Sequence, residues 1–369
     1  MKYFSILIKP ASSLCNMACR YCFYHDVAEN REVKSYGIMT RDVAERMLEN
    51  IFRYAGDSTD LTFLFQGGEP TVAGLQFFED FIQIVDKYNE NRLPVHYGIQ
   101  TNGYLIDEDW CRFLADHHFL VGLSQDGPRD IHDFCRPDAS GKGTFSRTVQ
   151  AIRLFSEYKI DYNILSVITK QFARHPQAVW DYYRRSGIKY VQLIPCLKPL
   201  KDGRPDPTDL TPRMYGNFMK QFFRLWYAAF LRGEYLSVRQ FDNLVLMLRG
   251  QPPEQCGLSG RCTPQFVVEA DGSVYPCDFY TLDEYRCGNA AQQPVEEIGA
   301  SEGMRRFLRG ETPVGELCPS CEVRGLCGGG CRRYRSFYTL ESGYCPQQDF
   351  LYDALPQLLE IARQGAHTV

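Results

Sequence analysis

The run Cys15-Asn16-Met17-Ala18-Cys19-Arg20-Tyr21-Cys22-Phe23-Tyr24 decides how this chain is read. Three thiolates so spaced can hold three irons of a four-iron cluster and leave the fourth iron open. The same triplet would also serve a structural zinc site, or simply pack as small buried hydrophobes. The residues around it separate these readings.

Composition sets the outer bounds. At 369 residues, with 44% hydrophobic and 23% charged side chains, the chain is long enough for one large domain plus a smaller one, with an ordinary soluble core. A formal net charge of -4 disfavours a non-specific polyanion binder, so nucleic acid is not an expected partner. The cysteine count, 15, is odd and high, which excludes a fully paired intramolecular disulfide framework. The clustering of the cysteines points to metal. The apolar run 3–8 is broken by Lys9 and Pro10, too short for a secretory signal core, and no later run approaches membrane-spanning length. The expected address is therefore cytoplasmic, without a membrane association, where a reducing environment keeps thiols available.

From residue 4 to about 235, short apolar runs alternate with longer amphipathic stretches, the pattern of repeated β/α units. Strands are expected at 4–8, 61–65, 95–100, 119–123, 162–168 and 190–194, which gives an α/β fold with a partial (β/α)6 TIM-like barrel. Unusual residues follow the strands directly: the cysteine triplet, then Gln66-Gly67-Gly68-Glu69-Pro70, Gln100-Thr101-Asn102-Gly103, and Ser124-Gln125-Asp126-Gly127-Pro128. In parallel barrels the C-terminal strand ends carry the active site, so these loops read as a ligand pocket. Glycines at 67 and 68 let the backbone approach a ligand closely, and the carboxylate of Glu69 can accept from an ammonium. Taken alone, the same run could be a tight turn capping a helix.

A helix is expected over 215–231, and the texture changes near Gly250-Gln251-Pro252-Pro253. Beyond it lies a cysteine-rich region with one hairpin signal, Asp271-Gly272 between 265–269 and 273–275, and a closing helix over 347–363. The expected organisation is a barrel over 1–235, a bridge over 236–255, a cysteine-rich domain over 256–345 and a C-terminal helix over 346–369. Eight cysteines fall in that third region: Cys256, Cys262, Cys277, Cys318, Cys321, Cys327, Cys331 and Cys345. Eight thiolates suit two fully ligated four-iron clusters; two four-cysteine zinc sites are the competing reading. Cys111, Cys135, Cys196 and Cys287 match no motif and are expected to be buried or incidental thiols.

The CxxxCxxC spacing, with Tyr21 just before the last cysteine and Gly67-Gly68-Glu69-Pro70 downstream, resembles the radical S-adenosylmethionine superfamily. The C-terminal cysteines resemble its SPASM extension. The resemblance implies S-adenosyl-L-methionine and three [4Fe-4S] clusters as cofactors, with Cys15, Cys19 and Cys22 on the first. It assigns Cys256, Cys262, Cys277 and Cys331 to the inner auxiliary cluster, and Cys318, Cys321, Cys327 and Cys345 to the outer one. It also implies cofactor contacts from Tyr24, Gly67, Gly68, Glu69, Gln100, Ser124, Asp126 and Arg136. Asp278, next to a cluster ligand, would be a rigidly held general base.

Leu7-Ile8-Lys9-Pro10-Ala11-Ser12-Ser13 before the triplet and the run from Phe266-Val267-Val268-Glu269 through Asp278-Phe279-Tyr280 narrow the resemblance to the anaerobic sulfatase-maturating enzymes. That family oxidises a cysteine or serine of an unfolded sulfatase to Cα-formylglycine (3-oxoalanine) after Cβ hydrogen abstraction. The implied partners are an unfolded sulfatase or peptide substrate and a flavodoxin or ferredoxin electron donor. A second expectation within the superfamily is a maturase that forms a thioether or other crosslink in a ribosomally made peptide. A third, non-enzymatic, is an iron-sulfur electron carrier, for which a pocket on an open iron would have no use.

Overall fold

In the structure, a computed structural model, residues 2–56, 59–201, 206–310 and 313–364 are described. They form two compact units that interleave along the chain. The first comprises Met1–Ser124, Arg136–Tyr162 and Pro264–Gly310, and the second Gln125–Cys135, Asn163–Thr263 and Glu311–Val369.

The first unit contains β1 (Lys2–Ile8), β2 (Thr59–Phe65), β3 (Val95–Thr101) and β4 (Leu120–Ser124), paired in parallel in that order. Along β2 the residues Leu61, Phe63 and Phe65 are buried at every second position, as a strand with a two-residue period requires. Phe65 meets the rings of Phe77, Phe78 and Phe81 on the helix Leu75–Tyr88, with centroids 6.5, 4.8 and 5.0 Å away. Burial of such rings is the main driving term for docking that helix on the sheet.

The second unit contains β5 (Tyr162–Ile168, of which all but the first residue belong here), β6 (Tyr190–Pro195) and β7 (Ser237–Val238), again parallel. All six expected β/α strands are thus present, β5 with the expected bounds and the others with ends within two residues of them. The expected aromatic helix spans Pro212–Phe230 and opens on Thr211, whose hydroxyl accepts the Met214 N–H at 3.2 Å. It buries Phe218, Phe222 and Trp226, and the Trp226 indole N–H donates to the Leu236 carbonyl at 2.7 Å. Phe223 and Phe241 pack on Phe350 of the closing helix Pro346–Arg363.

The hairpin expected around Asp271-Gly272 is formed by β8 (Phe266–Val268) and β9 (Ser273–Tyr275), with β10 (Gly288–Asn289) beside β9. Gly272 sits at φ 85°, where a side chain would be strained. What the sequence does not announce is where this hairpin docks. β8 pairs in parallel with β1, Ile6 opposite Phe266 and Ile8 opposite Val268, which packs residues 264–310 into the first unit.

Candidate active site

The register of β8 on β1 fixes the chemistry at their ends. With Ile8 opposite Val268, the residues that follow, Lys9 and Glu269, emerge side by side, and the Lys9 N–H donates to the Val268 carbonyl at 2.8 Å. Lys9 Nζ lies 3.6 Å from Glu269 Oε1 and 3.4 Å from Asp278 Oδ1, while Arg31 Nη1 reaches Glu269 Oε1 at 2.6 Å. All four side chains are buried, Lys9 at 3% exposure and Glu269 at 0%. Burial alone would push the Glu269 carboxyl up, but Lys9 and Arg31 outweigh it and hold the group below the usual carboxylate range.

Asp278 opens a single 3-10 turn, Asp278–Tyr280, directly after Cys277. Its Oδ2 accepts the Tyr24 hydroxyl at 2.6 Å and Gln66 Nε2 at 3.2 Å, and Gln66 Nε2 also donates to the Tyr24 oxygen at 2.5 Å. Burial, then the charge of Asp278, raises the Tyr24 hydroxyl well above its ordinary value, so it stays a proton donor to the carboxylate. Tyr24, expected as a cofactor contact, is therefore tied to Asp278.

The glycines of the Gly67-Gly68-Glu69 loop have a packing reason that the sequence does not display. Gly67 sits at φ 96°, where an added Cβ would come within 2.6 Å of Lys9 Cγ; Gly68 sits at φ 51°, where one would collide with the Leu14 carbonyl. The loop is thus pressed onto the segment leading to Cys15, with the Glu69 N–H donating to Leu14 O at 2.8 Å. Glu69 is buried, and its Oε1 accepts from Thr71 N, Thr71 Oγ1 and Thr101 Oγ1 while Oε2 accepts from Asn102 N. Burial raises this carboxyl and these bonds oppose the rise. The carboxylate holds the loops after β2 and β3 together. With three donors on Oε1 and one on Oε2, the capacity left for an ammonium lies on Oε2.

Asn102 extends this tie to the triplet, its Nδ2 lying 2.8 Å from Asn16 Oδ1 and 3.8 Å from Cys15 Sγ. On the other side, Ala18 N donates to Pro137 O at 2.9 Å, which draws Arg136 against the triplet: Nη1 is 4.0 Å from Cys19 Sγ, and the guanidinium lies over the Tyr21 ring at 5.3 Å. Arg136 is buried, against the base-rate expectation of a solvated loop arginine. Gln100 Nε2 donates to Ser124 Oγ at 3.0 Å, joining two expected contacts at neighbouring strand ends. Asp126, in the second unit, is fully buried and accepts the Val167 N–H on Oδ1 at 2.9 Å, a bond that ties it to β5.

In the second unit Cys318, Cys321, Cys327 and Cys345 line one cavity of about 350 Å³. Cys331, only four residues beyond Cys327, turns the other way and feels the charges of Cys256 and Cys262. The Cys256 loop packs on it tightly: a Cβ on Gly257 would stand 3.1 Å from Cys331 Cβ. The donor set, soft thiolates in two groups, suits iron-sulfur clusters. Among the described residues no three His, Cys, Asp or Glu side chains converge on one point that a single ion could fill. Cys277 lies in the first unit. Cys111, Cys135, Cys196 and Cys287 are buried thiols, as expected.

Two family models match the chain, "Radical SAM superfamily" over residues 10–176 and SPASM, "Iron-sulfur cluster-binding domain", over 259–322. A cysteine-type anaerobic sulfatase-maturating enzyme of Clostridium perfringens is 44% identical over 364 residues, 97% of this chain and 98% of its own. The chain belongs to the anaerobic sulfatase-maturating enzymes.

A serine-type anaerobic sulfatase-maturating enzyme of Klebsiella aerogenes is 31% identical over 340 residues, covering 89% of this chain and 79% of its own. The solved structure of native anSMEcpe with bound AdoMet and Cp18Cys peptide superposes with a TM-score of 0.89 at 41% identity, covering 98% of this chain and 99% of that one. The α/β radical SAM fold with a C-terminal SPASM domain is thereby the fold of this sulfatase-maturating enzyme family member.

Sequence reading missed Lys9, Arg31, Glu269 and Gln66 as site residues. Their signal was present but quiet: Lys9 and Glu269 each follow a fully apolar run, Ile6-Leu7-Ile8 and Phe266-Val267-Val268, where a charge is carried to the edge of a buried strand. The thiols carry a further consequence. Burial pushes Cys15, Cys327 and Cys331 each up to about 11, so these groups are protonated near neutrality and must lose protons to bind iron. Anaerobic loading with iron and sulfide should approach about three four-iron clusters per chain and should proceed faster at about pH 8.5 than at about pH 6.5. Stoichiometric zinc with little iron, measured by metal analysis, would contradict the cluster assignment.

Proposed function

We propose that this enzyme oxidises a cysteine of an unfolded sulfatase to Cα-formylglycine, with serine as the poorer substrate. The cysteine preference is supported by 44% identity to a cysteine-type relative against 31% to a serine-type one. The observation that carries the chemistry is Asp278, a buried carboxylate fixed by Tyr24 and Gln66 immediately after Cys277.

Cys15, Cys19 and Cys22 would hold the first cluster. Cys256, Cys262, Cys277 and Cys331 would hold the inner auxiliary cluster, and Cys318, Cys321, Cys327 and Cys345 the outer one. S-adenosylmethionine and these clusters, when bound, supply a 5'-deoxyadenosyl radical to remove the Cβ hydrogen and an outlet for the substrate's second electron. The chain's own residues do the rest. Arg136, with its buried cation beside Cys19, suits the methionine carboxylate; Glu69 Oε2 and the Gly67-Gly68 backbone suit its ammonium. Gln100, Ser124 and Asp126 line the strand ends where the remaining polar contacts would fall, and Tyr24 bridges to the base.

Asp278 takes the thiol proton of the target cysteine. Tyr24 and Gln66 occupy Oδ2, which leaves Oδ1, buried beside Lys9 and without a hydrogen-bond partner among the described residues, as the oxygen to receive that proton. Loss of one hydrogen atom, one proton and one electron converts the Cβ–S single bond to a thioaldehyde, which water hydrolyses to the aldehyde with release of hydrogen sulfide. The target must enter as an extended peptide, since a side chain packed in folded sulfatase could not reach the site. A reducing cytoplasm and a flavodoxin or ferredoxin donor follow from the need to reduce the first cluster. No helix among the described residues is long and apolar enough to cross a membrane. The barrel over 1–235, the bridge over 236–255, the SPASM domain over 256–345 and the closing helix over 346–369 are the proposed functional division of the chain.

Mass spectrometry of a peptide bearing Cys-x-Pro-x-Arg should show conversion of cysteine to formylglycine, more rapid than conversion of the serine analogue. An unchanged peptide would favour the crosslinking of a ribosomal peptide instead. Asp278→Asn should lower formylglycine formed per 5'-deoxyadenosine released by about 100-fold; a ratio near that of the unaltered enzyme would remove Asp278 as the base.

A further inference from the structure

Two cations and two carboxylates are buried together at the junction of β1 and β8: Lys9, Arg31, Glu269 and Asp278. Their formal charges cancel. Their connections are unequal. Arg31 serves Glu269 at 2.6 Å and also donates to Lys34 O and Ser12 Oγ, so Glu269 has a close partner of its own. Lys9 sits between the carboxylates, 3.6 Å from Glu269 and 3.4 Å from Asp278 Oδ1, with its ammonium 4.8 Å from the centre of the Tyr24 ring and within 3.4 Å of Thr281 Oγ1. Among the described residues Asp278 Oδ1 has no hydrogen-bond partner, and Lys9 is the cation facing it.

We propose that Lys9 is the positioning residue for Asp278, holding the carboxylate by Oδ1 so that Oδ2 stays on Tyr24 and Gln66 and Oδ1 keeps the orientation in which it receives the substrate's proton. This inference rests on the role given to Asp278 above. Without a cation at this point, Oδ1 would be buried without a counter-charge, and the side chain would rotate toward whatever donor or water it could reach. The ammonium over the Tyr24 ring at the same time holds the phenol that anchors Oδ2. Lys9 is itself placed by three independent constraints. Its backbone N–H is spent on Val268, its stem is packed against Gly67, where no Cβ fits, and its head lies against Thr281. The same glycine thus belongs to the cofactor loop and to the seat of the lysine, which couples the placement of the base to the placement of that loop.

The alternative role for Lys9 is purely structural, as neutraliser of Glu269. Two variants separate these. Lys9→Met keeps the stem and leaves two carboxylates facing one arginine. Lys9→Met/Glu269→Gln restores the balance, one arginine with Asp278, and should recover most of the thermal stability lost in the single variant. In both variants formylglycine formed per 5'-deoxyadenosine should fall by about 10- to 100-fold, the cost of a misplaced catalytic group. Recovery of that ratio in the double variant would assign Lys9 to Glu269 and overturn the proposal. A crystal structure of the double variant gives a readout independent of product: Asp278 should leave Tyr24. An Asp278 still hydrogen-bonded to Tyr24 and Gln66 overturns the positioning role whatever the peptide's fate, whereas unaltered enzyme that makes no formylglycine counts against the proposed function alone.

Discussion

Parallel pairing of β8 with β1, Ile8 opposite Val268, is the constraint on which the site depends. It is a short ladder of three residue pairs, yet it carries residues 264–310 back to the first strand of the chain. Because the two strands run the same way, both end at the same edge of the sheet, and the residues just beyond them meet. Lys9 comes to Glu269, and the hairpin that follows brings Asp278 to Tyr24 in the first turn of the helix Phe23–Glu29, just after the triplet. Slipping this register by one residue would turn Val267 and Val268 to the opposite faces and separate the charges.

Burying four charges is an expensive way to join two strands. A buried ion pair is commonly no more stabilising than hydrophobic residues of the same volume, while removing one partner of such a pair costs about 3–5 kcal/mol. Stability alone therefore gives no reason for a lysine, an arginine and two carboxylates at this junction. The role proposed for Asp278 gives one: a proton acceptor that must be charged, oriented and shielded from bulk water needs counter-charges that are equally fixed. The neighbouring Glu69 shows the same economy. Its carboxylate accepts from four protein donors, which tie the loops after β2 and β3 to each other.

Much of this was legible in the sequence because the signals are local. The six strands of the β/α repeats, the aromatic helix Pro212–Phe230 and the Asp271-Gly272 hairpin follow from short-range periodicity and turn chemistry. The cysteine triplet and Gly67-Gly68-Glu69 were recognisable as motifs, and Asp278 stood out through its neighbour Cys277. What could not be read depends on contacts distant in sequence. Lys9 and Glu269 are 260 positions apart, and each alone looks like an ordinary charge after a strand. The glycines suggest room for a ligand, but they first make room for Lys9 and the Leu14 carbonyl. The departure of Cys331 from its sequence neighbour Cys327 is likewise a matter of tertiary placement, which spacing does not encode.

The function proposed has the triplet, the loop Gly67-Gly68-Glu69 and Asp278 act together on the Cβ of a peptide cysteine. Its most direct test is a substrate peptide whose target cysteine carries deuterium at Cβ, turned over once by the loaded enzyme. Deuterium is expected in the released 5'-deoxyadenosine, with a formylglycine retaining the second label. Release of 5'-deoxyadenosine free of deuterium, with the peptide modified elsewhere or not at all, would contradict it.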